Sequence, residues 1–106
     1  MKKIEIGGKE RPVLYGINAL SEFNENTGTS LQWIFSIMSK PLSMNMNHLR
    51  WLVFCGLKMG AEESNIPVDF DIKTVGNWLD ADFNKLSEFM EALRDGLPKG
   101  EETKKK

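Results

Sequence analysis

The residues whose side chains could carry out chemistry are few and far apart in this sequence. His48 is the only histidine and Cys55 the only cysteine, and two helical turns separate them. A metal site or a catalytic dyad would need a second strong ligand or a nucleophile close to the histidine. We therefore interpret His48 as a solvated residue in a first helical turn and Cys55 as a small buried apolar residue.

The acidic residues also lack the spacing of a known site. The calcium-loop pattern Asp-x-Asp-x-Asp-Gly is absent among Asp69, Asp71, Asp80 and Asp82. Two of these, Asp71 and Asp82, precede apolar periodic runs and are interpreted as helix caps. We therefore predict that the protein is not an enzyme and that it uses no metal and no cofactor.

Methionine is the compositional feature that points towards binding. Six methionines occur in 106 residues, and Met38, Met44 and Met46 lie between Trp33 and the most apolar run of the chain. Methionine is flexible and polarisable, which suits a surface that accepts many apolar sequences, but it also fills gaps in cores. From the residues alone, both interpretations stay open.

The composition is that of one ordinary globular domain, with 41% hydrophobic and 27% charged residues. The formal net charge is −1, and residues 61–95 carry nine acidic but only three basic groups, which argues against nucleic acid as a partner. No apolar run approaches the roughly 20 residues that span a bilayer, so no membrane contact is expected. The single cysteine, Cys55, rules out an internal disulfide and favours a cytoplasmic location.

The element that must position everything else is a central apolar helix over residues 47–60. Apolar or small residues recur there at helical spacing, at Leu49, Leu52, Val53, Gly56 and Leu57. Asn47 is predicted to cap its start and Gly60 to end it. Because this helix is apolar on most sides, other elements must cover it on most sides.

The remaining elements are predicted to surround that helix. The N-terminal segments around Gly7-Gly8 indicate a β-hairpin, because two glycines suit a tight turn with positive φ. Helices are predicted over residues 17–26, 31 to about 40 and about 83–95, with Ile17 on the buried side of the first and Phe83 in the apolar stripe of the last. A further short helix, capped by Asp71 or Thr74, is predicted to carry Val75, Trp78 and Leu79 on its apolar side. The predicted fold class is thus α+β, mostly α, with a hairpin packed on a compact bundle of about five helices. Residues 1–97 are predicted to form one domain, and the charged residues 98–106 a disordered tail.

The order of several short segments resembles a known family. These segments are Ile4-Glu-Ile-Gly-Gly-Lys-Glu-Arg-Pro, Tyr15-Gly-Ile-Asn-Ala-Leu-Ser-Glu-Phe, Leu52-Val-Phe-Cys-Gly-Leu-Lys-Met-Gly60 and Val75-Gly-Asn-Trp-Leu-Asp80. Together they resemble the tail assembly chaperones of long-tailed bacteriophages, prophages and gene-transfer agents. The similarity runs from about Ile4 to Leu93, and its motifs are structural rather than catalytic.

The resemblance implies a non-enzymatic chaperone that binds hydrophobic helical segments of the tape measure protein during tail morphogenesis, in the cytoplasm of the bacterial host. The tail tube protein is a further expected partner. Client contact is predicted on the second helix and on the methionine-containing link that follows it, at Trp33, Ile37, Met38, Met44 and Met46. Self-association is also expected, because the second helix carries more apolar surface than one neighbour would bury.

Two other classes of function stay open. The first alternative is a small prophage-encoded regulatory or adaptor protein, with DNA binding as one option. DNA binding would need a basic recognition helix, and the helices after residue 61 are acidic instead. An enzyme ranks third, and would require a cleft that brings acidic residues to His48.

Overall fold

The chain begins with a β-hairpin. The computed structural model describes residues 1–97, in which β1 (Lys2–Ile6) pairs antiparallel with β2 (Lys9–Val13). Gly7 and Gly8 have φ values of 66° and 86°. A two-residue hairpin turn with both φ values positive matches the twist of the flanking strands, and glycine adopts it without steric cost. The predicted hairpin and its turn are confirmed.

Five helices follow the hairpin within residues 1–97. They are α1 (Ile17–Thr27), α2 (Leu31–Ser39), α3 (Met46–Glu63), α4 (Ile72–Ala81) and α5 (Leu86–Gly96), with single 3-10 turns at Pro41–Ser43 and Phe83–Lys85. The predicted fold class, α+β and mostly α with a hairpin on five helices, is confirmed. None of the helices within residues 1–97 combines the length and the apolar content needed to cross a membrane. The predicted charged tail, 98–106, lies outside the described residues.

Helix α3 is the centre of the molecule, and it packs against β2, α1, α4 and α5. It is longer than the predicted 47–60 at both ends. It starts at Met46 because the side chain of Asn45, rather than that of Asn47, caps it. The Asn45 side-chain oxygen accepts a hydrogen bond of 2.8 Å from the backbone N–H of His48, in the first helical turn. It also runs through Gly60 to Glu63, so the prediction that Gly60 ends the helix is wrong.

Gly56 and Gly60 instead allow the hairpin and the residues after it to approach α3. A Cβ added at Gly60 would lie 2.1 Å from the carbonyl oxygen of Pro12, and one at Gly56 would lie 2.4 Å from the ring of Tyr15. The Tyr15 hydroxyl donates a hydrogen bond of 2.7 Å to the carbonyl of Leu52. These close approaches bury the inner face of the hairpin against the helix.

Arg11 fastens the other side of the hairpin to the segment before α4. It is 8% exposed, and its Nε donates to the carbonyl of Ile6 at 2.8 Å. Its guanidinium lies 4.3 Å from the ring centre of Trp78 and 3.0 Å from a carboxylate oxygen of Asp69. Planar stacking together with a forked hydrogen-bond pattern is a combination that arginine provides and lysine does not.

The structure corrects the predicted buried side of α1 and shows which apolar residues of α2 face the core. Ile17 was expected on the buried side of α1 but is 66% exposed. In α2 the buried side chains are Ile34 and Ile37, whereas Leu31 and Phe35 are 44% and 45% exposed. Both pairs satisfy helical spacing, and the packing of α2 against the core selects the first of them.

The start of the last helix also differs from the prediction. Asp82 precedes the 3-10 turn Phe83–Lys85 rather than α5 itself, and its side chain makes no capping hydrogen bond. Phe83 therefore belongs to the 3-10 turn that precedes α5, whereas Leu86, Met90 and Leu93 of α5 are buried. Phe83 itself is 47% exposed.

Candidate functional site

The candidate site is an open apolar groove where the 3-10 turn Pro41–Ser43, the start of α3, α4 and the region around Phe83 meet. It consists of two hollows of about 300 and 470 Å³ that share Phe83 as a lining residue. The apolar lining of the first is Met46, Leu49, Leu79 and Phe83, and that of the second is Pro41, Leu42, Phe83, Leu86 and Met90. We call this surface the Phe83 groove.

Three large apolar side chains of the groove are open to solvent. Leu42 is 85% exposed, Met46 70% and Phe83 47%. Exposed apolar residues scattered singly are ordinary, but several around one concave surface are typical of an interaction site. The groove therefore offers anchoring positions for an apolar partner.

The local sequence explains why these side chains face outwards. Leu42 lies in a three-residue 3-10 turn that starts at Pro41, so it has no neighbouring helical turn to cover it. Met46 is the first residue of α3, beyond the buried stripe that begins at Leu49. Phe83 is the first residue of the second 3-10 turn, before α5 begins. Each exposed residue thus lies in a short 3-10 turn or at the start of a helix, where packing is incomplete.

The rim of the groove is polar. Arg50, Lys73 and Asp80 line the first hollow, and Arg94 lines the second. Arg50 donates a hydrogen bond of 2.8 Å to the side-chain oxygen of Asn47. Its aliphatic stem passes over Gly76 of α4, where an added Cβ would lie 3.2 Å from Arg50 Cδ. An apolar floor with a polar rim is the usual composition of a protein-binding surface.

The structure removes two of the five predicted client-binding residues from the surface. Ile37 is 0% exposed and Met44 is 5% exposed, and both belong to the hydrophobic core. Ile37 lies on the stripe of α2 that faces inwards. Met44 follows the 3-10 turn at 41–43, and its side chain fills the core rather than the surface. Neither can contact a client in this conformation.

The other three predicted residues have different environments. Trp33 and Met38 are half-buried and pack against the core. The ring of Trp33 lies 5.8 Å from that of Phe23 and 4.7 Å from that of His48, so it closes the junction between α1, α2 and α3. Met46 is exposed and lines the Phe83 groove. The five residues therefore do not form a single surface.

Sequence reasoning missed Leu42 and Phe83. Leu42 lies in an irregular link, where no periodicity shows which apolar residue faces solvent. Phe83 fits the spacing of the α5 stripe, but it lies in a separate 3-10 turn before α5 begins. The run Asp-Phe-Asn at 82–84 carries no strong signal for that turn.

A second exposed apolar surface lies on α1 and α2. Ile17 and Leu31 line a hollow of about 230 Å³, and Phe35 shares the face of Leu31 because four positions separate the two residues. We call these three residues the Ile17 patch. It contains no methionine, and its hollow shares no lining residue with the Phe83 groove.

The residues singled out for chemistry are placed as follows. Cys55 is buried, and burial raises the pKa of its thiol to about 12. His48 is half-buried against Trp33 rather than solvated as predicted, and its Nδ1 has no hydrogen-bond partner within residues 1–97. In the same range, no three side chains of His, Cys, Asp or Glu are grouped so that they could hold a metal ion.

The geometry thus brings apolar side chains together at the Phe83 groove, and neither His48 nor Cys55 lines it. Binding through an apolar surface is the activity that this arrangement supports best. No protein-family model, curated protein or solved structure matches the chain.

Proposed function

We propose that this chain is a non-enzymatic tail assembly chaperone of a long-tailed phage or prophage. Its client is a hydrophobic helical segment of the tape measure protein, bound in the cytoplasm of the bacterial host before the tail tube protein assembles around it. The observation that carries the proposal is the Phe83 groove, with Leu42, Met46 and Phe83 exposed around two hollows. The sequence resemblance from about Ile4 to Leu93 supplies the identity of the client.

The groove is suited to a helix that presents apolar residues along one face. Phe83 lies between the two hollows, so one apolar side chain of the client can enter on each side of it. Burial of apolar area drives such contacts, at roughly 25 cal/mol per Å² removed from water. The chaperone function requires no bond to be made or broken, because covering the apolar stripe of the client prevents its aggregation.

Methionine gives the groove tolerance for different client sequences. Met46 and Met90 lie on opposite sides of Phe83, one in each hollow. Unbranched side chains with several rotatable bonds can repack around ligands of different shape. This property fits a client in which many successive helical segments differ in sequence.

The test is co-expression of the full chain with the tape measure protein of the same genome, followed by affinity capture and size exclusion. We expect the wild-type chain to keep the tape measure protein soluble and to co-elute with it. Phe83→Glu and Leu42→Glu each place a charge on the groove and should lower the co-eluting fraction by about tenfold, because central anchors dominate such interfaces.

The matched control is Ile17→Glu, which places the same charge on an apolar residue outside the groove whose exposure, 66%, lies between those of Phe83 and Leu42. It should co-elute like the wild type, and circular dichroism should show all three variants folded. A tape measure protein that aggregates equally with and without the wild-type chain would refute the proposed function. The same size-exclusion run measures self-association, which stays a prediction.

A further inference from the structure

The charges around the Phe83 groove are opposite in sign to those of the half of the chain that builds most of it. Residues 61–95 contain nine acidic and three basic residues. Two of those three basic residues, Lys73 and Arg94, line the groove, and Arg50 of α3 joins them there. Asp80 is the one acidic residue among the described side chains that line it. The groove is therefore a basic site on an acidic half of the molecule.

The basic groups of the groove are not neutralised within residues 1–97. Neither Lys73 nor Arg94 forms an ion pair with a described carboxylate, and Arg50 donates to the neutral side chain of Asn47. Elsewhere cations do find partners, as in the Lys58–Glu22 pair at 2.8 Å and the Lys85–Glu88 pair at 3.4 Å. The three basic side chains of the groove thus remain available to a partner.

The three basic side chains lie at both ends of the apolar floor of the groove. Arg50 and Lys73 lie at the first hollow and Arg94 at the second, so positive charge stands on both sides of Phe83. The aliphatic stem of Arg50 lies beside Gly76, which places the Arg50 side chain at the edge of α4. A ligand that covers Leu42, Met46 and Phe83 must place its own flanking residues near these charges.

We propose that the Phe83 groove selects an amphipathic helix of a partner protein whose apolar stripe is flanked by carboxylates. This inference rests on the proposed function and specifies which client segments the groove accepts. Each exposed ion pair contributes little affinity, but like charges at the same places repel, so the sign of the flanking charge discriminates between segments. The chain's own residues 98–106 are not the occupant. They contain no large apolar side chain to cover the groove, and their four lysines carry the same charge as its rim.

The test uses two synthetic helical peptides of about 14 residues with the same leucine stripe. One carries glutamate at every flanking position and the other lysine. Fluorescence anisotropy with the full chain at low salt should give an affinity about tenfold higher for the glutamate peptide. In about 1 M salt, where the Debye length is about 3 Å, the two affinities should converge.

The charge-reversal variant Lys73→Glu/Arg94→Glu should lose or invert this preference. Its matched control, Lys3→Glu/Lys9→Glu, changes the net charge equally on exposed hairpin residues away from the groove, and should keep the preference. Melting curves establish that both variants are folded.

The peptide-binding experiment tests the charge selection, and the co-elution experiment tests the proposed function. Equal affinity for the two peptides, or preference for the lysine peptide, would overturn the charge selection, as would failure of both peptides to bind. If the tape measure protein still co-elutes through Phe83 in those cases, the chaperone proposal survives. Loss of that co-elution as well would refute both.

Discussion

At the scale of single residues, Cys55 and Tyr15 show what the core does to ionisable groups. Cys55 is 1% exposed and Tyr15 is 2% exposed. Burial raises the pKa of the Cys55 thiol to about 12, with Glu22 adding to the rise and Lys58 opposing it. Burial likewise raises the pKa of the Tyr15 hydroxyl well above its ordinary value. Both groups are neutral structural residues at physiological pH.

This burial predicts a loss of stability in alkali. In the unfolded chain Cys55 ionises near its ordinary pKa of 9, whereas in the folded chain it keeps its proton to about pH 12. Folding stability is therefore fully present below pH 9 and falls as the pH rises from 9 to 12, by up to about 1.4 kcal/mol per pH unit for this group. Urea unfolding at a series of pH values measures the slope.

The control for that slope is Cys55→Ala, which removes the ionisable group but leaves Tyr15 and the lysines to titrate. The variant should be less stable at pH 7, because it leaves a small cavity, and its stability should fall less steeply above pH 9. If stability fell with pH equally steeply in the wild type and in Cys55→Ala, the Cys55 thiol would have the same pKa in the folded and the unfolded chain, contrary to this prediction.

At the scale of elements, the sequence was informative about where helices and strands occur. The turn glycines at 7–8, the αL glycine after α1 and the Asp71 cap of α4 were predictable because each depends on residues adjacent in sequence. The buried faces were harder to predict. In α2 two apolar stripes compete, and packing on the core, which is built mostly from other elements, decides that Ile34 and Ile37 turn inwards.

The role of Gly60 also depends on a contact between elements that the local sequence does not show. Its lack of a side chain serves packing on β2 rather than helix termination, and an added Cβ would lie 2.1 Å from the rigid backbone of Pro12. Gly60→Ala should therefore destabilise the protein by about 1–3 kcal/mol, despite the better helix propensity of alanine. Chemical denaturation measures this difference.

Gly76→Ala is the matched control for that substitution. Gly76 is also interior to a helix, but its added Cβ would approach only the flexible stem of Arg50, at 3.2 Å. Arg50 can shift, so this variant should be much less affected than Gly60→Ala. Equal destabilisation by the two substitutions would contradict the close approach of β2 to α3.

At the scale of the whole molecule, the fold class was predictable and the candidate surface only partly so. Apolar periodicity identified α3 as the centre because a helix that is apolar on most sides has to be covered. Of the five residues predicted to contact a client, Met46 alone combines high exposure with a place in the groove. The groove is formed by residues of five elements, the two 3-10 turns, α3, α4 and α5. The spacing of residues along any one element does not predict how these elements come together.

The arrangement of the elements also explains why the Phe83 groove is exposed to solvent. The 3-10 turns at 41–43 and 83–85 interrupt the helical packing on one side of α3, and Leu42 and Phe83 are left without cover. Apolar side chains in this position do not contribute to the core. Their contribution is expected in the complex with the client, where the groove is covered.

The most direct test of the account is in-cell photo-crosslinking during co-expression with the tape measure protein. A photoreactive analogue of phenylalanine is placed at position 83, at position 42, or at position 17 of the second exposed patch. We predict crosslinks to the tape measure protein from positions 83 and 42 and only background from position 17. Crosslinks from position 17 with none from positions 83 and 42 would contradict the assignment of the Phe83 groove as the client-binding surface.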